Sequence, residues 1–194
     1  MAQPYLSVII PAYNEAERIP LTLVDIDKHL STAEYSYEII VVNDGSKDKT
    51  AEVVRSMEKM IKNLKLVDNR ENKGKGGVVR QGMLTARGKI RLFTDADNST
   101  SVDQFNNMLP YFSTGGARPP VSQDDAFGKS SGRHETYDVV IGSRAMKGSK
   151  LDPAEPLYRQ IPGKMGNIFI QTLLLPGLWD TQCGFKAFTD EAAE

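Results

Sequence analysis

Four short aliphatic runs, LSVII at 6–10, IIVV at 39–42, IRLF at 90–93 and VVI at 139–141, each stop at or just before a polar cluster: PAYNE, NDGS, DADN and GSR. The runs are unbroken rather than alternating, which is the pattern of strands covered on both faces. A weaker run at 64–67 reads as a further strand. Between the strands lie segments with helical spacing. Residues 15–30 carry Ile19, Leu23, Ile26 and Leu30 on one stripe, and 49–62 follows a capping position at Asp48 or Ser46. Residues 76–86 turn Val78, Val79, Met83 and Leu84 inward, and 102–112 and 158–175 also read as helical. This alternation predicts an α/β fold, a doubly wound and mostly parallel sheet flanked by helices. Ligands of such sheets bind at the carboxyl ends of the strands. The four polar clusters therefore fall on one rim, and that rim is where chemistry is expected.

Length and composition narrow the class. A chain of 194 residues fits one domain. The single Cys183 rules out an internal disulfide scaffold, and it reads as a small structural residue. A net charge of −1 argues against a nucleic-acid partner. The charge is uneven, however. Segment 70–91 holds seven Lys or Arg against Glu71, a balance of +6, which leaves −7 for the rest. No run reaches 18 apolar residues, and the first residues lack a basic stretch followed by an apolar one, so neither a span nor a leader is expected. Segment 113–137 contains four Gly, four Ser and two Pro in 25 residues and reads as a long flexible loop. The closing FKAFTDEAAE reads as a strand and the start of a helix, the pattern expected of an α/β domain cut short at its C-terminus.

Three clusters carry candidate chemistry. Asp95 and Asp97, at i and i+2 after a strand, can converge on a hard cation such as Mg²⁺ or Mn²⁺; the same spacing also serves a helix-capping turn. Asp44, at the end of the second strand, can accept from a base or a ribose hydroxyl, or can simply make a turn with Gly45 while Asp48 caps the next helix. The loop NKGKGG at 72–77 leads into a helix with Lys75 beside it, which suits phosphate, although a solvated basic face fits the pattern equally. Arg144, Arg159 and Lys164 could each pair with phosphate or remain surface cations. His29 and His134 have no partner spacing and receive no role.

Taken in order, SVIIPAYNEAERI, EIIVVNDGSKDKT, NKGKGGVVRQGM, FTDADNST, VVIGSRA and DTQCGFKAF resemble the inverting family-2 glycosyltransferases of GT-A fold. The last segment is similar to the dolichyl-phosphate β-glucosyltransferase branch, close kin of the mannose synthases. The resemblance implies transfer of glucose from UDP-glucose, a UDP-sugar donor, to a polyprenyl phosphate acceptor with a divalent metal. It implies donor contacts at Pro11, Tyr13, Glu15, Val42, Asp44, Asp95, Ala96 and Asp97, with Asp97 the nearer metal ligand and Asp95 its companion. Lys75 joins them as a phosphate cation. Arg144 matches an arginine for the diphosphate or the acceptor phosphate, and Arg159 an acceptor-phosphate arginine. Asp180, Gln182 and Lys186 match the late motif near sugar and acceptor. Where mannose synthases place a metal-binding Gln, this chain has Ser99. Work at the cytoplasmic face of a membrane, with peripheral contact by a full-length protein, is also implied. Three alternatives stay open: another acceptor (polysaccharide or protein), a GDP-mannose donor, and a non-catalytic nucleotide-sugar-binding module.

Overall fold

A computed structural model describes residues 3–112, 137–143 and 183–194. The strands are β1 (Leu6–Ala12), β2 (Tyr37–Asp44), β3 (Leu64–Asn69), β4 (Ile90–Phe93), β5 (Val139–Ile141) and β6 (Lys186–Thr189). They form one six-stranded sheet in the order β3-β2-β1-β4-β6-β5. The first four run parallel. β6 is inserted antiparallel between β4 and β5. The sheet is mostly parallel, as expected; the reversed strand is an addition that local pattern does not encode.

Burial on both faces explains the unbroken aliphatic runs. On one face Leu6, Val8, Ile10, Ile39, Val41 and Leu92 pack beneath helices α1 (Ile19–Leu30) and α2 (Thr50–Met57) and a 3₁₀ turn, Val102–Asn107. On the other, Ile9, Ile40, Val42 and Phe93 pack under Val78 and Met83 of helix α3 (Gly74–Thr85). Successive strand residues thus alternate between two cores, so most positions are apolar; the buried exceptions are paired, Ser7 with Glu38 and Arg91 with the Met83 carbonyl. Each fully buried aliphatic side chain contributes about 1.5–3 kcal/mol.

Several element boundaries differ from the sequence expectation, each for a local reason. β1 runs on through Pro11, because β4 pairs only with residues up to Ile9 and the β1 edge beyond it needs no further N–H donor on that side. α1 begins at Ile19 rather than at 15, with Pro20 in its first turn, where a missing N–H costs nothing. The expected helix 102–112 divides into the 3₁₀ turn and a short helix, Leu109–Phe112. Pro110 cannot donate back along a continuous helix. Leu84 is 48% exposed rather than inward; the sheet-facing position in that turn belongs to Gly82, four residues after Val78. The closing strand and helix start are present as β6 and Asp190–Ala193. The expected helix at 158–175 lies outside the described residues. So does the expected loop 113–137, apart from Tyr137, whose N–H donates to Tyr111 O at 3.0 Å and whose ring meets that of Tyr111 edge-on.

The chain goes outward from β1 to β2 to β3, then returns through α3 to β4 on the other side of β1. α1 and α3 consequently leave the sheet on opposite faces. The crevice between β1 and β4, at their carboxyl ends, is the switch point where a doubly wound sheet takes a ligand.

Candidate active site

That crevice is a cleft of about 470 Å³ lined by Pro11, Ala12, Tyr13, Glu15, Asp44, Asn72, Gly74, Lys75, Val78, Asp95, Ala96 and Asp97. β1 supplies the first wall. Tyr13 is 43% exposed there, and Glu15 forms a two-point ion pair with Arg18, at 2.7 Å to Nε and 2.8 Å to Nη2.

The loop carrying Tyr13 and Glu15 is fixed to the loop after β2 by a set of cross-loop hydrogen bonds. Asn14 takes a left-handed backbone conformation (φ 56°), which Asn tolerates better than most residues. Its N–H donates to Ser46 Oγ at 2.9 Å, and its Oδ1 accepts from the Lys47 N–H at 2.9 Å. The next two N–H groups follow, Glu15 to Thr50 Oγ1 at 2.9 Å and Ala16 to Asp48 Oδ2 at 3.1 Å. Asp48 also receives the Thr50 N–H and hydroxyl. Burial alone would raise its carboxyl, but these hydrogen bonds outweigh burial and hold it below its ordinary value. The N-cap position of α2 is Lys49, which makes no side-chain cap, so Asp48 is not the capping residue expected; from one residue earlier it accepts the first helical N–H and holds a second loop besides.

Asp44 closes the floor. It is 4% exposed, and its Oδ1 accepts the Lys73 N–H at 2.6 Å, while its backbone carbonyl accepts from Asn72 Nδ2 at 3.1 Å. Gly45, with φ 66°, lets the chain turn here; a Cβ would lie 2.8 Å from the Asn72 nitrogen. The 72–77 loop is thereby held against the end of β2, and α3 starts at the cleft.

β4 contributes the acidic wall. Asp95 Oδ1 lies 2.7 Å from Lys75 Nζ, and that ammonium sits 5.5 Å from the Phe93 ring centroid. Asp97 Oδ1 accepts the Ser99 N–H at 3.0 Å, so Ser99 serves the Asp97 carboxylate through its backbone. Ala96 is buried, and its carbonyl accepts from Thr22 Oγ1 of α1 at 2.7 Å. The acidic turn is thus anchored to the helix beneath it.

The cleft brings together Pro11, Tyr13, Glu15, Asp44, Lys75, Asp95, Ala96 and Asp97. Val42 does not line it: position 42 faces the α3 side of the sheet, where the side chain is fully buried. Lys186 lies one strand away, paired with Phe93 and Ile141. Arg144, Arg159, Asp180 and Gln182 lie outside the described residues. The basic segment 70–91 does not act as one face. Lys75 lines the cleft, whereas the Lys73 ammonium donates to Asn69 Oδ1 at 2.8 Å and Gln81 Oε1 at 3.2 Å, Arg87 pairs with Glu38, and Arg91 is buried on β4 with Nη1 on the Met83 carbonyl at 2.9 Å. Asn14 and Asn72 were not among the residues expected at the site. Position alone signals them, since Asn14 lies inside PAYNE and Asn72 opens NKGKGG.

Asp95 and Asp97 offer only oxygen donors, and among the described residues no third His, Cys, Asp or Glu joins them. Two carboxylates, with the other positions left to phosphate and water, match how Mg²⁺ and Mn²⁺ are held beside nucleotides. The donor set fits such a cation.

The family model described as glycosyl transferase family 2 matches residues 7–194. The chain is 40% identical over 97% of its length to the dolichyl-phosphate beta-glucosyltransferase of Dictyostelium discoideum, covering 55% of that protein. It is 30% identical over 97% of its length to the human protein of the same name, covering 56% of it. The chain therefore spans a little over half the length of these curated relatives. In fold it resembles mannosyl-3-phosphoglycerate synthase from Rubrobacter xylanophilus, with a TM-score of 0.63 at 17% identity over 97% of this chain and 54% of that one. The sheet with its switch-point cleft is the GT-A fold, and the chain belongs to glycosyl transferase family 2.

Proposed function

We propose that the chain forms the donor-binding part of an inverting glucosyltransferase that moves glucose from UDP-glucose to a polyprenyl phosphate. One observation carries the reading: a single cleft sets polar groups suited to a nucleoside (Tyr13, Glu15, Asp44) beside groups suited to a diphosphate (Lys75, Asp95, Asp97). The names of the curated relatives support glucose as the sugar and dolichyl phosphate as the acceptor.

In this reading Asp44 and Glu15 accept from the nucleoside, Tyr13 covers it, and the start of α3 with Lys75 meets the diphosphate. Asp95 and Asp97 would hold a divalent cation, Mg²⁺ or Mn²⁺, which supplies charge neutralisation for the departing diphosphate. A phosphate oxygen of the lipid attacks the anomeric carbon, the bond to UDP breaks, and configuration inverts. A phosphate monoester is already ionised near neutral pH, so no strong general base is required. Catalysis then rests on positioning and electrostatics. Arg144, Arg159, Gln182 and Lys186 are assigned to the acceptor phosphate and leaving group, and Asp180 to the sugar. No helix among the described residues is long and apolar enough to cross a membrane. Peripheral contact at a cytoplasmic face is part of the proposal.

Calorimetric titration with UDP-glucose and with GDP-mannose, each in Mn²⁺ and in EDTA, tests it. The expected result is Mn²⁺-dependent binding of UDP-glucose, abolished by Asp97→Ala. Preference for GDP-mannose would move the assignment to a mannosyl donor. Equal affinity in Mn²⁺ and EDTA would remove the metal role of Asp97.

A further inference from the structure

The antiparallel register of β6 against β4 pairs Lys186 with Phe93. Two residues further along, Gly184 stands opposite Asp95. Contact geometry agrees: a Cβ at Gly184 would lie 1.9 Å from Asp95 Oδ2, 2.6 Å from its Cγ and 3.1 Å from its Oδ1. The Asp95 carboxylate therefore occupies the space that any other residue at 184 would need for its side chain. Its opposite oxygen, Oδ1, is engaged by Lys75 at 2.7 Å. The carboxylate is held between a bare backbone on one side and an ammonium on the other.

The segment carrying Gly184 is itself fixed. Cys183 and Phe185 on either side are buried, and the Gly142 N–H of the β5 end donates to Phe185 O at 2.9 Å. Gly184 cannot retreat from Asp95 without disturbing both neighbours. A methyl group at 184 must instead push the carboxylate off its seat.

We propose that Gly184 is a positioning residue of the donor site: its missing side chain seats the Asp95 carboxylate, and so sets how the cation and diphosphate are met. This rests on the reading of the cleft as a metal–diphosphate site. It adds a residue from the segment leading into β6, which reaches the site only through sheet pairing.

The test is a double-mutant cycle on the whole chain, with Gly184→Ala, Asp95→Ala and the pair. UDP affinity is measured calorimetrically in Mn²⁺ and in EDTA, and melting temperature is measured alongside. The parent is expected to bind UDP at least tenfold more tightly in Mn²⁺. Gly184→Ala is expected to remove most of that enhancement while leaving affinity in EDTA within twofold, a split that general destabilisation would not produce. It is also expected to lower the melting temperature in the parent but not in the Asp95→Ala background, where the clash is gone. If Gly184→Ala alone does not fold, recovery of folding in the double variant supports the role, and failure of the double variant overturns it. Full Mn²⁺ enhancement in Gly184→Ala, or the same melting loss in both backgrounds, overturns the positioning role alone. Absence of enhancement in the parent overturns the reading of the site and the positioning role with it.

Discussion

Gly82→Ala sets two effects of opposite sign against each other. Within a helix, Ala is favoured over Gly by about 0.5–1 kcal/mol, so propensity alone makes the substitution stabilising. Packing opposes it. A Cβ at 82 would lie 2.4 Å from Ile9 Cγ2 and 3.0 Å from Val42 Cγ2, against an ordinary carbon–carbon contact of about 3.5–4.0 Å. Either α3 lifts about 1 Å from β1 and β2, or Ile9 leaves its rotamer, in a core where Ile9 and Val42 are fully buried. Overpacking of this kind costs about 1–3 kcal/mol. At the middle of both ranges the net expectation is a loss of about 1 kcal/mol, or a fall in melting temperature of about 2–4 °C for a domain of this size. Lys75 sits in the first turn of α3, so UDP affinity should fall as well. Gly76→Ala in the same helix is the control, because no atom lies within 4 Å of its Cβ position; it should leave stability unchanged or raise it by up to about 1 kcal/mol. Thermal unfolding followed by circular dichroism at 222 nm reads both variants. A Gly82→Ala variant as stable as the parent, or more so, would refute the claim that α3 approaches the sheet through this glycine.

Three further outcomes follow from the same geometry. Lys75→Met should weaken UDP binding about tenfold, by roughly 1.4 kcal/mol, and leave uridine binding unchanged, because Lys75 is assigned to the diphosphate alone; competition binding with the two ligands reads the difference. Asp48 is held below its ordinary value in the folded chain, so its contribution is present at neutral pH and is lost as acid protonates it below the usual carboxylate range. Asp48→Ala should therefore flatten the acid limb of a stability–pH profile. The Tyr37 phenol is pushed up to about 12, first by burial and then by its hydrogen bond to Asp27 Oδ1 at 2.8 Å. Its contribution is complete below pH 10 and is lost as pH rises towards 12. Burial also raises Tyr5 and Tyr35, so phenolate absorbance should show several late-titrating tyrosines, and Tyr37→Phe should remove the component near 12 while leaving the others.

Much of the donor site was legible because its parts are local. A strand buried on both faces is aliphatic at most of its positions, and the run stops where the chain meets solvent. The runs ending at PAYNE, NDGS and DADN therefore fixed both the parallel sheet and the rim on which Tyr13, Asp44, Asp95 and Asp97 converge. What tertiary structure decided lies in contacts between residues distant in sequence, which leave no periodic trace. Gly76 and Gly82 are the same residue in the same helix, yet one faces open space and the other faces Ile9. Val42 follows the strand pattern perfectly and, for that very reason, points into the core rather than the cleft. Asp48 reads as a cap, but its second oxygen fixes a loop 32 residues earlier in the chain. Gly184 acquires its place opposite Asp95 only because β6 enters the sheet antiparallel. The hydrogen bonds that set this register join segments about 90 residues apart, and nothing in the local sequence of either strand encodes that pairing.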